Sequence, residues 1–195
     1  MYYEYKLPIN LFLILEKSSI VMWKSKTLHS NHFIFFIDKN WNYLLNIILK
    51  NEIFLSESFL IDNSAIDTIS YTKKSNFLNF FWKNNKLLTF YTYYFYALKL
   101  KLTYFLIINN YLNNNFNYIS SVDWIYKNAG WVERETSEMY GIHFINKRDT
   151  RKLLLDYSKN EYPLLKDFPS EGLQEVFFNV FNSQVSINRS EVIEL

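Results

Sequence analysis

The chain has 195 residues, 49% of them hydrophobic and 21% charged, which describes one globular domain with a real core rather than a disordered segment. It has no cysteine, which excludes a disulfide framework, thiolate zinc sites and cysteine-ligated iron–sulfur clusters. A net charge of +2 is too small for an electrostatic nucleic-acid binder. Aromatic residues reach 20% while Gly and Pro number 3 each, and Asn and Lys are abundant. These residues share A- and T-rich codons, so the bias reads as that of an AT-rich organelle genome.

In chain order, 7–17 reads as a short helix with Pro8 in its first turn. This apolar stretch is too short for a convincing signal peptide, and Glu16 and Lys17 follow at once. Residues 31–38 read as a buried strand. Residues 40–51 read as a helix with Trp41, Leu44, Leu45 and Ile48 at helical spacing. Residues 52–62 are ambiguous, and 64–72 read as a strand that carries an acid. Residues 87–97 are rich in aromatics and Thr, a strand signature. In 98–108, Leu98, Leu100 and Leu102 alternate with Lys99, Lys101 and Thr103, which predicts a strand with one wet face. Residues 109–117 are a polar connection. No segment reaches the ~18–20 apolar residues that span a bilayer, so a soluble or peripheral protein without a direct membrane span is expected.

The character changes at Ser120. Residues 1–120 carry a net +5 and residues 121–195 a net −3, and every Arg and every Gly lies in the second part. Ser120 and Asp123 have the spacing of a capping box, followed by a short helix predicted to end near Gly130. A second helix, 131–140, is predicted to stop at Gly141. On it Val132, Thr136 and Met139 share one face, and Arg134, Glu135 and Glu138 lie opposite with Trp131 in their midst. Glu133 points elsewhere, near Tyr140. Such a surface is either a solvated charged face or a packed one, and Trp and Arg are residues that anchor interfaces. An acid/base pair lacks a nucleophile, and a bundle-type metal site lacks the Glu-x-x-His spacing. His29 and His32 are three apart without a further ligand pattern and read as loop or core histidines. Nucleotide-binding and hydrolase motifs are missing.

Residues 146–152 form a basic cluster that either pairs internally or meets an anion or partner through Arg148 and Arg151. Prolines bracket 161–178, which predicts an extended arm instead of a helix. Such an arm either wraps a partner or packs on its own domain. The resulting architecture is α+β: a mixed or antiparallel sheet with flanking helices over 1–145, then the basic segment and arm over 146–195.

One set of residues carries a resemblance. The run from Glu133 to Leu154 resembles the signature of one family of subunits of the proton-pumping NADH:ubiquinone oxidoreductase, respiratory complex I. Its mitochondrial members are called NADH dehydrogenase subunit 9. Glu133, Arg134, Glu135, Glu138, Met139 and Tyr140 match the acidic helix of that family, and Lys147, Arg151, Leu153 and Leu154 match its basic and aliphatic positions. Downstream, Pro163, Leu164, Lys166, Asp167, Phe168 and Pro169 match a second family element. The resemblance covers about 120–179 strongly, 64–108 weakly and residues before 60 hardly at all. It implies a non-catalytic core subunit without flavin, cluster or quinone of its own. It also implies a place in the hydrophilic arm beside the quinone-site subunit and the iron–sulfur subunits, peripheral on the matrix side of the mitochondrial inner membrane and encoded in the organelle. The interface residues it implies are Trp131, Glu133, Arg134, Glu135, Glu138, Lys147, Arg151, Pro163, Lys166, Asp167, Phe168 and Pro169. Two features depart from the family pattern: Tyr162 and Leu165 stand where His and Arg are usual, and Thr89-Phe90-Tyr91 where Arg-Phe-Glu is frequent. An organelle ribosomal protein is the alternative class, and the low net charge argues against it. The expectation within the domain is that the helix charges lock onto the basic segment.

Overall fold

The computed structural model describes residues 19–26, 31–52, 55–68, 87–108, 118–157 and 161–190, with backbone alone for 19–26 and Asn31. Its centre is a five-stranded mixed sheet. The strands are β1 (Ser19–Lys26), β2 (Asn31–Asp38), β3 (Ser58–Asp67), β4 (Leu87–Phe95) and β5 (Leu100–Ile108), in the spatial order β1-β2-β5-β4-β3. The β2–β5 pair is parallel and the other pairs are antiparallel. The strand readings over 31–38, 87–97 and 98–108 therefore hold, and β3 joins the ambiguous 52–62 to the acid-bearing 64–72. The helix read over 7–17, the connection over 109–117 and His29 lie outside the described residues.

The wet face expected for 98–108 is a correction. The β4–β5 turn takes up Leu98 and Lys99, the latter at φ 47°, so the strand begins at Leu100. Within it Thr103 is buried, bonded to Thr92 Oγ1 at 3.1 Å and to the His32 ring at 2.9 Å. A central strand has neighbours on both sides, and these two hydroxyls satisfy each other where solvent would otherwise be needed.

Tyr91 and Tyr93 of β4 and Tyr104 of β5 share one face of the sheet, with Tyr91 directly opposite Tyr104 in register. Both helices contact that face. Helix α1 (Asn42–Asn51), entered through a 3₁₀ turn, lies where its periodicity predicts, but its buried side differs from the expected one. Asn42, Leu45, Asn46 and Leu49 face inward, while Trp41, Tyr43, Leu44 and Ile47 are exposed. The reason is a buried polar network. Tyr93 donates to Asn46 Oδ1 at 2.6 Å, Tyr104 donates to Asn42 Oδ1 at 2.8 Å, and Asn42 Nδ2 donates to Ser120 O at 2.7 Å. Each such bond contributes roughly 0.5–1.5 kcal/mol net, and an unmade one costs more. Burial raises the pKa of both phenols, so they remain neutral donors.

Helix α2 (Ala129–Tyr140) crosses β3, and the short parallel pair β6 (Tyr118–Ser120) and β7 (His143–Ile145) closes its two ends. A separate hairpin, β8 (Gln174–Asn179) and β9 (Gln184–Arg189), follows. No described helix is long and apolar enough to cross a membrane.

Candidate functional site: a charged helix and the loop it holds

The start of α2 corrects the sequence reading. Residues 123–128 form turns, and the helix runs through Gly130 instead of ending there. The glycine has a different purpose: a Cβ at 130 would sit 3.1 Å from Asp123 Oδ1, so its absence lets that carboxylate lie against the helix. The C-terminal end is as expected. Gly141 adopts φ 71° and donates to Ser137 O at 3.0 Å, a C-cap that L-residues with a Cβ adopt at a cost. The Tyr162 ring lies 3.0 Å from where its Cβ would stand, so the downstream arm packs on the cap.

Glu133 sits at the centre of the inward face, alongside Ala129 and Thr136, and is fully buried. This corrects the reading that sets Glu133 apart from the face of Thr136: the two share the buried side. Its two oxygens take four donors. Oε1 accepts from Tyr91 Oη at 3.0 Å and from Val122 N at 3.0 Å. Oε2 accepts from Ser121 Oγ at 2.6 Å and from Lys147 Nζ at 3.1 Å. The Glu133 and Lys147 side chains are 0% and 2% exposed, so this is a buried ion pair. Lys147 also donates to Ala129 O at 3.2 Å, at the start of the same helix. Desolvating both charges is expensive, and only such complete hydrogen bonding makes it tolerable. Burial and the adjacent Glu133 charge hold the Tyr91 phenol well above its ordinary pKa.

Arg134 and Glu138 turn the other way and grip 149–155. Arg134 donates to Arg151 O at 2.7 Å and Lys152 O at 3.0 Å, and pairs with Asp149 at 3.5 Å. Glu138 accepts from three successive backbone amides, Leu153, Leu154 at 2.8 Å and Leu155 at 3.0 Å. A carboxylate thus caps a backbone concavity that would otherwise expose three donors. Arg148 forks onto Asp123 with bonds of 2.9 and 2.7 Å and lies 5.1 Å over the Trp124 ring. The Arg148 hydrogen bonds hold the Asp123 pKa down, and Arg151 does the same for Asp149. The basic segment is therefore paired within the chain: Lys147, Arg148 and Arg151 each have an acidic partner.

The remaining predicted residues scatter. Trp131 is 60% exposed, with the Arg134 guanidinium 5.6 Å over its ring. Glu135 is exposed and faces β3 instead of the loop. The arm predicted to be extended over 161–178 is so only from Gln174, in β8; before it three successive turns close through Leu165 N–Tyr162 O, Phe168 N–Leu165 O and Gly172 N–Pro169 O. It is tied to the domain by Leu164 N donating to Met139 O at 3.2 Å and Lys166 N donating to Asp67 Oδ2 at 3.1 Å. Pro163, Phe168 and Pro169 are half-buried, while Lys166 and Asp167 are exposed. Where the family has His and Arg, Tyr162 covers Gly141 and Leu165 packs against the core. Where it has Arg-Phe-Glu, Tyr91 bonds Glu133, and Thr89 Oγ1 is buried without a partner.

Tyr91, Ser121, Asp123 and Asp149 complete the lattice, and sequence reasoning does not single them out as site residues; Arg148, which the basic cluster does single out, pairs internally with Asp123. Only the Ser120/Asp123 spacing hints at a constrained turn, and it suggests a helix cap. Among the described residues, no group of three or more His, Cys, Asp or Glu could hold a metal. The Glu133 carboxylate has no face left for a substrate. What this arrangement does chemically is hold a loop and arm in one conformation.

Two solved structures share the fold. A trypsin-resistant fragment (1–134) of Nqo5 matches with TM-score 0.50 at 11% identity, covering 72% of this chain and 97% of that one. A chain of the membrane-bound sulfane sulfur reductase, an archaeal respiratory membrane complex, matches with TM-score 0.57 at 18% identity, covering 83% of this chain and 84% of that one. These likenesses define the fold class, an α+β domain.

Sequence comparison then specifies which. The NADH-ubiquinone oxidoreductase subunit 9 of Paramecium primaurelia is 34% identical over 99% of this chain and 89% of its own length. The NADH dehydrogenase [ubiquinone] iron-sulfur protein 3 of Marchantia polymorpha is 44% identical over 40% of this chain and 38% of its own. The family model described as "Respiratory-chain NADH dehydrogenase, 30 Kd subunit" matches residues 38–174, and the chain belongs to that family. It is a complex I subunit, which displaces the ribosomal alternative.

Proposed function

We propose that the chain is a non-catalytic core subunit of NADH:ubiquinone oxidoreductase with a structural and assembly role. It sits in the hydrophilic arm beside the quinone-site subunit and the iron–sulfur subunits next to it. The flavin, the clusters and the quinone belong to those partners. A name such as iron-sulfur protein 3 suggests a cluster, but this chain has no cysteine to ligate one through thiolates. The subunit is peripheral on the matrix side of the mitochondrial inner membrane and encoded in the organelle. Residues 146–195 form its partner-binding part.

One observation carries this reading: the β8–β9 hairpin is amphipathic, and its apolar face is bare. Register places Val176 opposite Ile187 and Phe178 opposite Val185, four exposed side chains on one face. The other face carries Glu175, Asn188, Ser186, Asn179 and Gln184 around Phe177. At the turn Phe181 is 100% exposed. A two-stranded hairpin is marginally stable alone, and it needs a surface against which to bury that face. A subunit of a large complex finds it on a neighbour.

Replacing Phe178 and Val185 by Ser tests the reading. The expected result is loss of the chain from the NADH-dehydrogenase-active band on native gels, with normal turnover by whatever complex still assembles. Normal complex levels with selectively lost quinone reduction would overturn the structural assignment.

A further inference from the structure

One charge of α2 takes no part in the lattice just described. Glu135 lines a cleft of about 130 Å³ between α2 and β3, together with Asp62, Asn63, Met139, Tyr140 and Leu164. Binding sites for cofactors and drug-sized ligands run to roughly 300–1,000 Å³, so this one accommodates the end of a side chain and little more. Asp62 and Glu135 are both exposed carboxylates, and no basic residue lines the cleft. Within the same cleft Asn63 is 3% exposed. Its Nδ2 donates to Phe90 O at 3.1 Å and its backbone oxygen accepts from Thr136 Oγ1 at 2.8 Å, yet its Oδ1 is buried without a hydrogen-bond partner. Buried acceptors normally have a donor, so this oxygen marks a place where one is missing.

The backbone is arranged to produce this. The β3–β4 register shifts between Leu60 and Asp62, a bulge that leaves Ile61 and Asp62 both facing out before alternation resumes with Asn63 facing in. Bulges re-aim side chains, and this one delivers Asp62 to the cleft rather than to the core. Two exposed carboxylates, Asp62 and Glu135, line the cleft with Asn63 and the apolar side chains of Met139 and Leu164. That combination matches a side chain with an aliphatic stem and a head that donates several hydrogen bonds. A metal ion is the poorer fit: no described cluster offers the three or more ligating side chains that would hold one.

We propose that this cleft receives a basic side chain, lysine or arginine, from a neighbouring subunit. The proposal rests on the assembly reading above and names the chemistry of one contact within it. The stem lies against Met139 and Leu164, and the head bridges Asp62 and Glu135.

The test is made in the intact membrane complex with the double variant Asp62→Asn/Glu135→Gln, and with Glu57→Gln as an exposed carboxylate elsewhere. The double variant is expected to incorporate but to be stripped by salt at a concentration lower by about twofold or more, while Glu57→Gln matches wild type. A carbodiimide cross-link from Glu135 to a neighbour then identifies the base as lysine; loss of salt resistance without a cross-link identifies arginine. An unchanged release curve overturns the proposal and leaves the assembly reading intact. A wild-type chain absent from any NADH-dehydrogenase-active complex defeats that reading instead. If chelating divalent cations from the wild-type complex reproduces the defect, the cleft holds a metal and the proposal is wrong. If the double variant fails to incorporate, Glu135→Asp, which keeps the charge, must incorporate normally. Its failure would assign the position to folding and overturn the proposal.

Discussion

Helix α2 and the C-terminal hairpin invert the usual partition of residues in opposite senses. The helix buries Glu133 and Glu138, whereas the hairpin exposes Val176, Phe178, Val185 and Ile187. Yet these two helix carboxylates are satisfied within the chain and the hairpin face is exposed. Each oxygen of Glu133 has two donors, and Glu138 has three backbone amides. The apolar face of the hairpin has no such answer. Polarity alone therefore does not reveal which region awaits a partner; satisfaction does. A buried charge with all its hydrogen bonds is finished structure, and an exposed Phe with nothing over it is unfinished.

That contrast is broken most directly at Lys147. Lys147→Met leaves Glu133 buried without a cation and should destabilise the purified chain by about 3–5 kcal/mol, read from the urea midpoint. Glu133→Gln/Lys147→Met should recover most of that loss, because amide and phenol still bond while neither charge is buried. Equal losses for the single and double variants would show that the ion pair is not the organising element.

A smaller loss is expected at Gly141. Gly141→Ala places a Cβ on a left-handed backbone and against the Tyr162 ring, for about 1–2 kcal/mol in thermal unfolding. The same change should raise protease cleavage after 161, since the arm rests on that cap.

Acid is a gentler probe. Asp123 and Asp149 have folded-state pKa values below their unfolded ones, so the folded chain binds fewer protons there. Their stabilisation is fully present above about pH 4–5 and is lost as pH falls through the folded values. Stability from these pairs should be flat from neutrality to about pH 5 and decline below. Asp123→Asn should flatten the acid limb and lower Tm by a few degrees at pH 7.

The smallest effect belongs to the hairpin. Val176→Ser/Ile187→Ser should change the stability of the purified chain by no more than about 0.5 kcal/mol, because these side chains are already in water. A large loss would mean that the face is covered by this chain itself.

How much of the molecule is legible in its sequence follows from the physics of each element. Strands and helices with strong periodicity declare themselves, as β2, β4, β5, α1 and α2 do. The αL end at Gly141 is legible because only Gly fits it cheaply. The facing of the helices is not. In α1 the leucines at 44 and 45 look equivalent, and only the two tyrosines across the sheet make Asn42 and Asn46 the inward residues. Glu133 is misplaced for the same reason: its four donors come from β4, the 121–122 turn and Lys147, which the local sequence does not bring together. The pairing of the helix with 147–155 is legible because opposite charges lie close along the chain. The bulge at Asp62 leaves no sequence mark at all.

The asparagine–tyrosine network under α1 has an evolutionary corollary. In an apolar core a leucine can drift to methionine or isoleucine one position at a time, since volume is what the neighbours sense. Asn42, Asn46, Tyr93 and Tyr104 are bound by direction and donor count, so any one of them exchanged alone leaves at least one of the others short of a partner. These four positions are expected to persist or to change as a set, which makes them a lineage marker in a sequence whose composition otherwise drifts with its genome.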